Sequence, residues 1–318
     1  MRAGRKVLLM AAAATLLGAP GGRSAGADRL QAALEQAARV PGRQLWAADA
    51  DTGNLLASAP RGSPALGPRP PGSLLKVFLY LLAADRLPGC LSALASCGSS
   101  PAAVRALDAC WDRRGHGNVG FREGLAYSCQ RFASMLAARV EPEAARAFFR
   151  GLGLQVEPGA RAGGKAVQEG ARRRAAELTG HDGTIRAEPL ALLAALVACV
   201  NGGYLYRLDG AKPVLVRHYL WRPEAVRAVR EGLELAALAG TARVAGLKGC
   251  LAKTGTAPTL LPDGRVDPAS TQGWAFACLA EGRPRVAILV HLDRGIGAQA
   301  AAVAGKALAI WRAAGDAK

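Results

Sequence analysis

A chain of 318 residues, 51% hydrophobic and 20% charged, has enough apolar material for a large core and is not a disordered protein. Its formal net charge is +17, but the bases form no stripe interleaved with aromatic residues, which argues against a nucleic-acid binder and fits an anionic cell envelope. Seven cysteines cannot all pair, which is unusual for an exported chain.

The chain opens with Arg2, Arg5 and Lys6, an apolar run from Val7 to Leu17, and the small residues Ala25-Gly26-Ala27. This is the pattern of a secretory signal peptide over residues 1–27, because the run is well short of the ~20 residues a membrane span needs. An uncleaved anchor is the alternative. The remaining domain, residues 28–318, is then expected in the periplasm or otherwise exported and associated with the cell envelope, and no later segment has the length to span a bilayer.

Residues 29–39 read as a helix, and RQLWAADADTGNLLAS as strand, turn and strand, with Asp51-Thr52-Gly53-Asn54 in the turn. The Pro- and Gly-rich stretch from Pro60 to Gly72 forces a loop. From Leu74 to Ala84 no polar face appears, the mark of a helix buried on all sides. Residues 86–120 are rich in Gly, Ser and Cys and read as irregular. Helical patterns return over 121–150, in EPLALLAALVACVNGG and over Pro223 to Leu238. GCLAKTGTA, QGWAFACLA and RVAILVHLD read as antiparallel strands, and residues 298–314 as a final helix. The expected fold is α/β (α+β): one antiparallel sheet drawn from both chain ends and flanked by helices, with an all-helical lobe inserted over about 86–200.

Three short patterns carry chemistry. Ser73 and Lys76 lie one helical turn apart on one face, and burial lowers a lysine's pKa, so Lys76 is placed to activate the Ser73 hydroxyl as a nucleophile. The start of the helix adds a positive dipole end where negative charge develops in acyl transfer. A Lys-Thr-Gly triplet such as Lys253-Thr254-Gly255 is expected only about 0.03 times by chance in this composition. On a strand it offers a cation, a hydroxyl and close backbone approach to a carboxylate-bearing ligand. The third pattern is Ser128-Cys129-Gln130 in LAYSCQRFA.

In this order, Ser73-x-x-Lys76, Ser128-x-Gln130 and Lys253-Thr254-Gly255 resemble the three active-site motifs of penicillin-binding transpeptidases and serine β-lactamases. The flanking PPGSLLKVF, GHGNVGFREGLAYSCQ, EPLALLAALVACVNGG and GTARVAGLKGCLAKTGTA extend the likeness over about residues 44–295, nearest to the elongation-type transpeptidases. The resemblance implies Ser73 as the acylated nucleophile and Lys76 as its base. Ser128 would pass a proton to the departing D-alanine amine, and Lys253 would hold that hydroxyl. Thr254, Gly255 and Thr256 would bind the substrate, its carboxylate lying on the two threonines, and the backbone amides of Ser73 and Thr256 would form the oxyanion hole. Gln130 departs from the family's usual Asn or Asp; its longer amide is expected against Lys76 or the substrate amide.

Cys97, Cys110, His116 and Cys129 have ligand types suited to a structural zinc, and their spacing resembles the metal site of some elongation-type transpeptidases. A Cys97–Cys110 or Cys90–Cys110 disulfide and free thiols are the alternatives. Cys199, Cys250 and Cys278 lie in apolar runs and read as packing residues; His181, His218 and His291 lack ligand-like company and read as structural.

The function implied is a D,D-transpeptidase or D,D-carboxypeptidase. It would bind penicillin, other β-lactams and D-Ala-D-Ala stem peptides, with no cofactor required for catalysis, beside possible cell-wall synthesis proteins. A class D-like β-lactamase and a non-catalytic peptidoglycan-binding or scaffold module are the alternatives.

Overall fold

The structure, a computed structural model, describes residues 25–62, 65–99, 109–156, 167–208, 212–261, 263, 265–282 and 284–316. The apolar run read as a signal lies outside the described residues. Ala25–Ala27, read as its cleavage site, form the first turn of helix α1 (Ala25–Ala37).

A five-stranded antiparallel sheet is built from both ends of the chain, as expected. Strands β1 (Arg43–Asp49) and β2 (Leu55–Ala59) come from the first part, and β9 (Cys250–Leu260), β10 (Val266–Leu279) and β11 (Val286–Leu292) from the last. Their order is β2-β1-β11-β10-β9, which leaves β9 at one edge. Alternation sorts the side chains of the sheet to its two faces. Leu45, Ile288 and Val290 pack against Leu30 and Leu34 of α1 and against Ala300 and Ala304 of α9 (Gly297–Asp316). Trp274, Phe276 and Leu289 face the larger core on the other side.

That larger core surrounds helix α2 (Leu75–Arg86), whose residues from Leu75 to Ala84 are all buried, as its lack of a polar face predicts. A 3-10 turn, Gly72–Leu74, precedes it. Ser73 therefore sits in this turn rather than at the first residue of the helix.

The segment expected as irregular contains a small ribbon of β3 (Ala95–Cys97) and β4 (Gly117–Val119), with Cys97 opposite Gly117. The helical region after it is three helices: α3 (Phe121–Ala126), α4 (Gln130–Arg139) and α5 (Pro142–Gly151). Before α5, Pro142 occupies the first turn and the Glu141 carboxylate accepts from the backbone N–H groups of Glu143 and Ala144, so the new helix is capped. The break before α4 holds Ser128, taken up below. A two-residue pair of strands, β5 (Gln155–Val156) and β6 (Ile185–Arg186), flanks α6 (Val167–Thr179). Helix α7 (Pro189–Ala198) follows, and α8 (Pro223–Leu238) packs beside α2 and α3. Between them lies a hairpin the sequence did not announce, β7 (Tyr204–Arg207) and β8 (Val214–His218); β8 is apolar in its first three residues yet exposed throughout. Among the described residues, no helix is long and apolar enough to cross a membrane.

Candidate active site

The turn carrying Ser73 is held from three directions by backbone that leaves no room for a side chain. Gly72 has φ +58°, and a Cβ there would lie 2.5 Å from the Thr256 carbonyl oxygen of β9. On the other flank a Cβ on Gly180 would lie 2.2 Å from the Gly72 carbonyl oxygen, and one on Gly255 would lie 2.5 Å from that of Pro71. Buried Trp274 donates from Nε1 to the Pro70 carbonyl at 3.0 Å. Glycine is the residue that permits both the positive φ and these approaches.

Ser73 is half-buried and faces a cavity of about 490 Å³. Lys76, Ser128, Thr254, Thr256 and His181 share its lining, with Trp111, Arg243, Val244 and Ile296 on the outer wall. A second cavity of about 490 Å³, beneath β7 and β8, is mostly apolar and contains none of the motif residues.

The two motif lysines meet at Ser128. Lys253 Nζ donates to Ser128 Oγ at 2.9 Å and to its own neighbour's carbonyl, Thr254 O, at 2.9 Å. Lys76 Nζ donates to the Ser128 carbonyl at 2.8 Å and lies 3.4 Å from its hydroxyl. Among the described residues Ser128 alone combines a positive φ, 54°, with a side chain. That conformation ends α3, starts α4, and turns both oxygens of one residue toward the lysines; strain of this kind is characteristic of functional sites. The expected Ser73–Lys76 hydrogen bond is not formed: the fully buried amine is directed to Ser128 instead.

Burial lowers the Lys76 pKa to about 8, against a smaller opposing effect of the Cys110 and Cys129 thiols. Lys253 is pushed well below the ordinary lysine value by burial and then by the charge of Lys76. The cavity floor therefore has in Lys76 an amine able to exchange protons near neutrality.

On β9, Thr254 Oγ1 donates to Thr241 Oγ1 at 2.7 Å, and Thr256 Oγ1 accepts from the Gly297 N–H at 2.9 Å. A Cβ on Gly297 would meet the Gly255 backbone at 2.8 Å, so the start of α9 closes against the triplet. Thr256 remains exposed to the cavity.

Gln130 lies elsewhere than expected. It is fully buried at the start of α4 and is not part of the cavity lining. Its Nε2 donates to Thr179 Oγ1 at 2.9 Å and to Ser134 Oγ at 3.3 Å. Its extra methylene carries the amide past the lysines into the contact between α4 and α6.

The cysteine cluster is assembled. One ligand atom each from Cys97, Cys110, His116 and Cys129 lies within 4.8 Å of every other. His116 Nδ1 faces them, 3.3 Å from Cys110 Sγ and 3.6 Å from Cys97 Sγ. Tetrahedral zinc, with bonds of about 2.3 Å to sulfur and about 2.0 Å to nitrogen, has S···N edges of roughly 3.5 Å, so donor set and spacing fit that ion. The Cys129 thiol donates to Cys110 sulfur, which holds Cys110 low and Cys129 high in pKa. The His116 ring stacks on Tyr127 at 5.5 Å. All seven cysteines are free thiols, and Cys90 donates to the Ala83 carbonyl outside the cluster.

Cys199, Cys250 and Cys278 are buried in the cores. His218 stacks on Tyr204 at 3.9 Å, and buried His291 pairs with Gln272 at 2.8 Å. His181 differs, since it faces the cavity. A lone histidine after Thr-Gly gives no sequence signal for that, whereas Thr241 and Arg243 lie in GTARVAGLKGCLAKTGTA and were within reach of the third motif's surroundings.

The family model described as Penicillin binding protein transpeptidase domain matches residues 45–309. A search of curated proteins found no match. Among solved structures, the transpeptidase domain of Burkholderia pseudomallei penicillin-binding protein 3 is similar with a TM-score of 0.68 and 22% identity, over 92% of this chain and 93% of that one. Pseudomonas aeruginosa PBP2 gives 0.69 and 19% over 91% and 77%. Helicobacter pylori PBP2, solved in complex with MreC, gives 0.73 and 18% over 91% and 63%. At these identities the likeness establishes the fold.

Proposed function

The chain belongs to the penicillin-binding protein transpeptidase domain family, and on that premise we propose that it is an exported serine acyltransferase of cell-wall synthesis, taking D-Ala-D-Ala stem peptides, and β-lactams in their place, through an acyl-enzyme on Ser73. The observation that carries the reading is Ser128, whose two oxygens engage Lys76 and Lys253 on the floor of the cavity that Ser73 faces.

Neutral Lys76 takes the Ser73 proton as Oγ attacks the carbonyl carbon of the penultimate D-alanine. The oxyanion is met by the backbone N–H groups of Ser73 and Thr256, where one donor is worth on the order of 100-fold in rate. The C–N bond to the terminal D-alanine breaks, and its amine takes a proton through Ser128. Thr254 and Thr256 hold the terminal carboxylate in the field of Lys253. Water or an amine then releases the acyl group.

Cys97, Cys110, His116 and Cys129 would hold a structural zinc, which supplies a staple between the β3–β4 ribbon and the residue that follows Ser128. Cell-wall synthesis proteins are the partners this reading implies.

The test is labelling of the purified chain with a fluorescent penicillin beside Ser73→Ala. A covalent label that depends on Ser73 is expected. Its absence would leave a peptidoglycan-binding module without catalysis, and rapid loss of the label would point to a β-lactamase.

A further inference from the structure

The hydrogen bonds around Thr179 fix the state of a histidine in the cavity. Thr179 Oγ1 lies 2.6 Å from the Ala175 carbonyl oxygen, which can only accept, so the single hydroxyl proton is given there. The Ala176 carbonyl oxygen, at 3.4 Å, can share only that same proton, so the two nitrogen neighbours of Oγ1 must be donors. One is Gln130 Nε2 at 2.9 Å; an amide turned the other way would set two acceptors face to face. The other is His181 Nδ1 at 3.2 Å. His181 Nδ1 thus carries the proton, and the neutral ring presents Nε2 as a bare acceptor. Desolvation by the protein packed around the ring, and then the charge of Lys76, lower its pKa to about 3 even though part of the residue is open to solvent, so the ring is neutral.

Position follows from the glycines. Thr256 of β9 and Gly180 both close on the Gly72–Ser73 turn, and His181 is the next residue after Gly180. β9 is the sheet's edge strand, so an extended acyl donor can find partners for its backbone groups along β9 by strand addition. His181 is exposed and lines the same cavity as Ser73 and Thr256. Lys76, the base of the acyl-transfer steps, and Arg243, which only donates, line the same cavity.

We propose that His181 is a positioning residue for the second substrate: its Nε2 accepts an N–H of the amine that attacks the Ser73 acyl ester, aiming the nitrogen lone pair at the acyl carbon. This rests on the acyl-enzyme reading above. In that step the C–N bond forms, the C–Oγ bond to Ser73 breaks, and a proton leaves the amine nitrogen for Lys76 and returns to Ser73 Oγ. His181 gains no proton. Water can use the same acceptor, so amine and water are told apart by the products. Gln130, outside the cavity lining, does not reach this amine; its Nε2 donates to the same Thr179 Oγ1.

The experiment follows a thioester analogue of the donor peptide, offered to the full chain with D-alanine as the amine acceptor. Thiol release reports acylation, and the ratio of aminolysis to hydrolysis reports the second step. In His181→Phe the ratio is expected to fall about tenfold, as loss of one hydrogen bond in the transition state implies, and by more than acylation falls. His181→Gln, which retains an acceptor, is expected to recover part of the ratio. Equal loss in both steps, no change in the ratio, or a parent chain that only hydrolyses its acyl-enzyme would overturn the assignment. A parent chain that releases no thiol would overturn the acyl-enzyme reading with it. Nitrogen-15 NMR of the four histidines tests the premise without turnover: His181 is expected to show unprotonated Nε2, and the opposite tautomer would overturn the proposal in a fully inactive protein as well.

Discussion

Lys253 Nζ lies 2.9 Å from Ser128 Oγ across 125 residues of sequence. The pair joins the edge strand of the sheet to the break between α3 and α4, and it brings a second amine to the hydroxyl that Lys76 also approaches. Lys253→Ala is expected to lower the second-order rate of penicillin labelling by on the order of 100-fold. Titration of that rate against penicillin concentration measures it.

Lys76 gives the labelling rate a pH dependence of known sign. Its amine works when neutral, and with a pKa of about 8 roughly a tenth is neutral at pH 7. The rate is expected to rise about tenfold from pH 6 to 7, about fivefold from pH 7 to 8, and then to level off. A rate that is flat from pH 6 to 9 would remove Lys76 from the role of base.

Gly255→Ala tests how closely β9 presses on the nucleophile turn. The new Cβ would lie 2.5 Å from the Pro71 carbonyl oxygen, so the turn must shift. Overpacking of this kind costs about 1–3 kcal/mol. The variant is expected to fold, to melt lower in a thermal scan, and to label at least tenfold more slowly.

The cysteine cluster predicts about one equivalent of zinc by elemental analysis, lost in Cys110→Ala. Stripping the metal with a strong chelator is expected to lower the melting temperature by on the order of 10 °C. A metal-free chain with unchanged melting would leave the four side chains as packing residues.

Arg146 and Glu177 form a two-pronged pair at 2.7 and 2.8 Å between α5 and α6, with side chains only 17% and 11% exposed. Arg146→Ala leaves the carboxylate buried without its partner. A loss of about 3 kcal/mol is expected in urea unfolding.

Much of the frame was legible because its periodicities were clean. Helix α2 has no polar face and is buried, and β9, β10 and β11 appeared as short apolar runs between turns. The hairpin of β7 and β8 was not legible, because an exposed apolar strand shows no alternation of inward and outward residues. The β3–β4 ribbon is three residues on each strand, too short for any period. Within the site, the identities of Ser73, Lys76, Ser128 and Lys253 could be read, but the direction of their bonds could not. That Lys76 turns to Ser128 follows from a positive φ at one residue. That Gln130 turns to Thr179 depends on a contact between residues 49 apart in sequence, which no local pattern encodes. That His181 lines the cavity was not legible either, because Ser73, Ser128 and Thr256, which share that lining, are distant from it in sequence.

The exposed strand β8 bears on the colloidal behaviour of the chain. Val214, Leu215 and Val216 are 47%, 51% and 57% exposed on a two-stranded hairpin, the kind of edge through which copies stack. At low ionic strength the mutual repulsion of chains with a large positive net charge keeps such edges apart. Added salt shortens the reach of that repulsion to about 10 Å at 0.1 M, and the apolar strand is left to act. Light scattering should therefore rise with salt, and Leu215→Lys should abolish the rise.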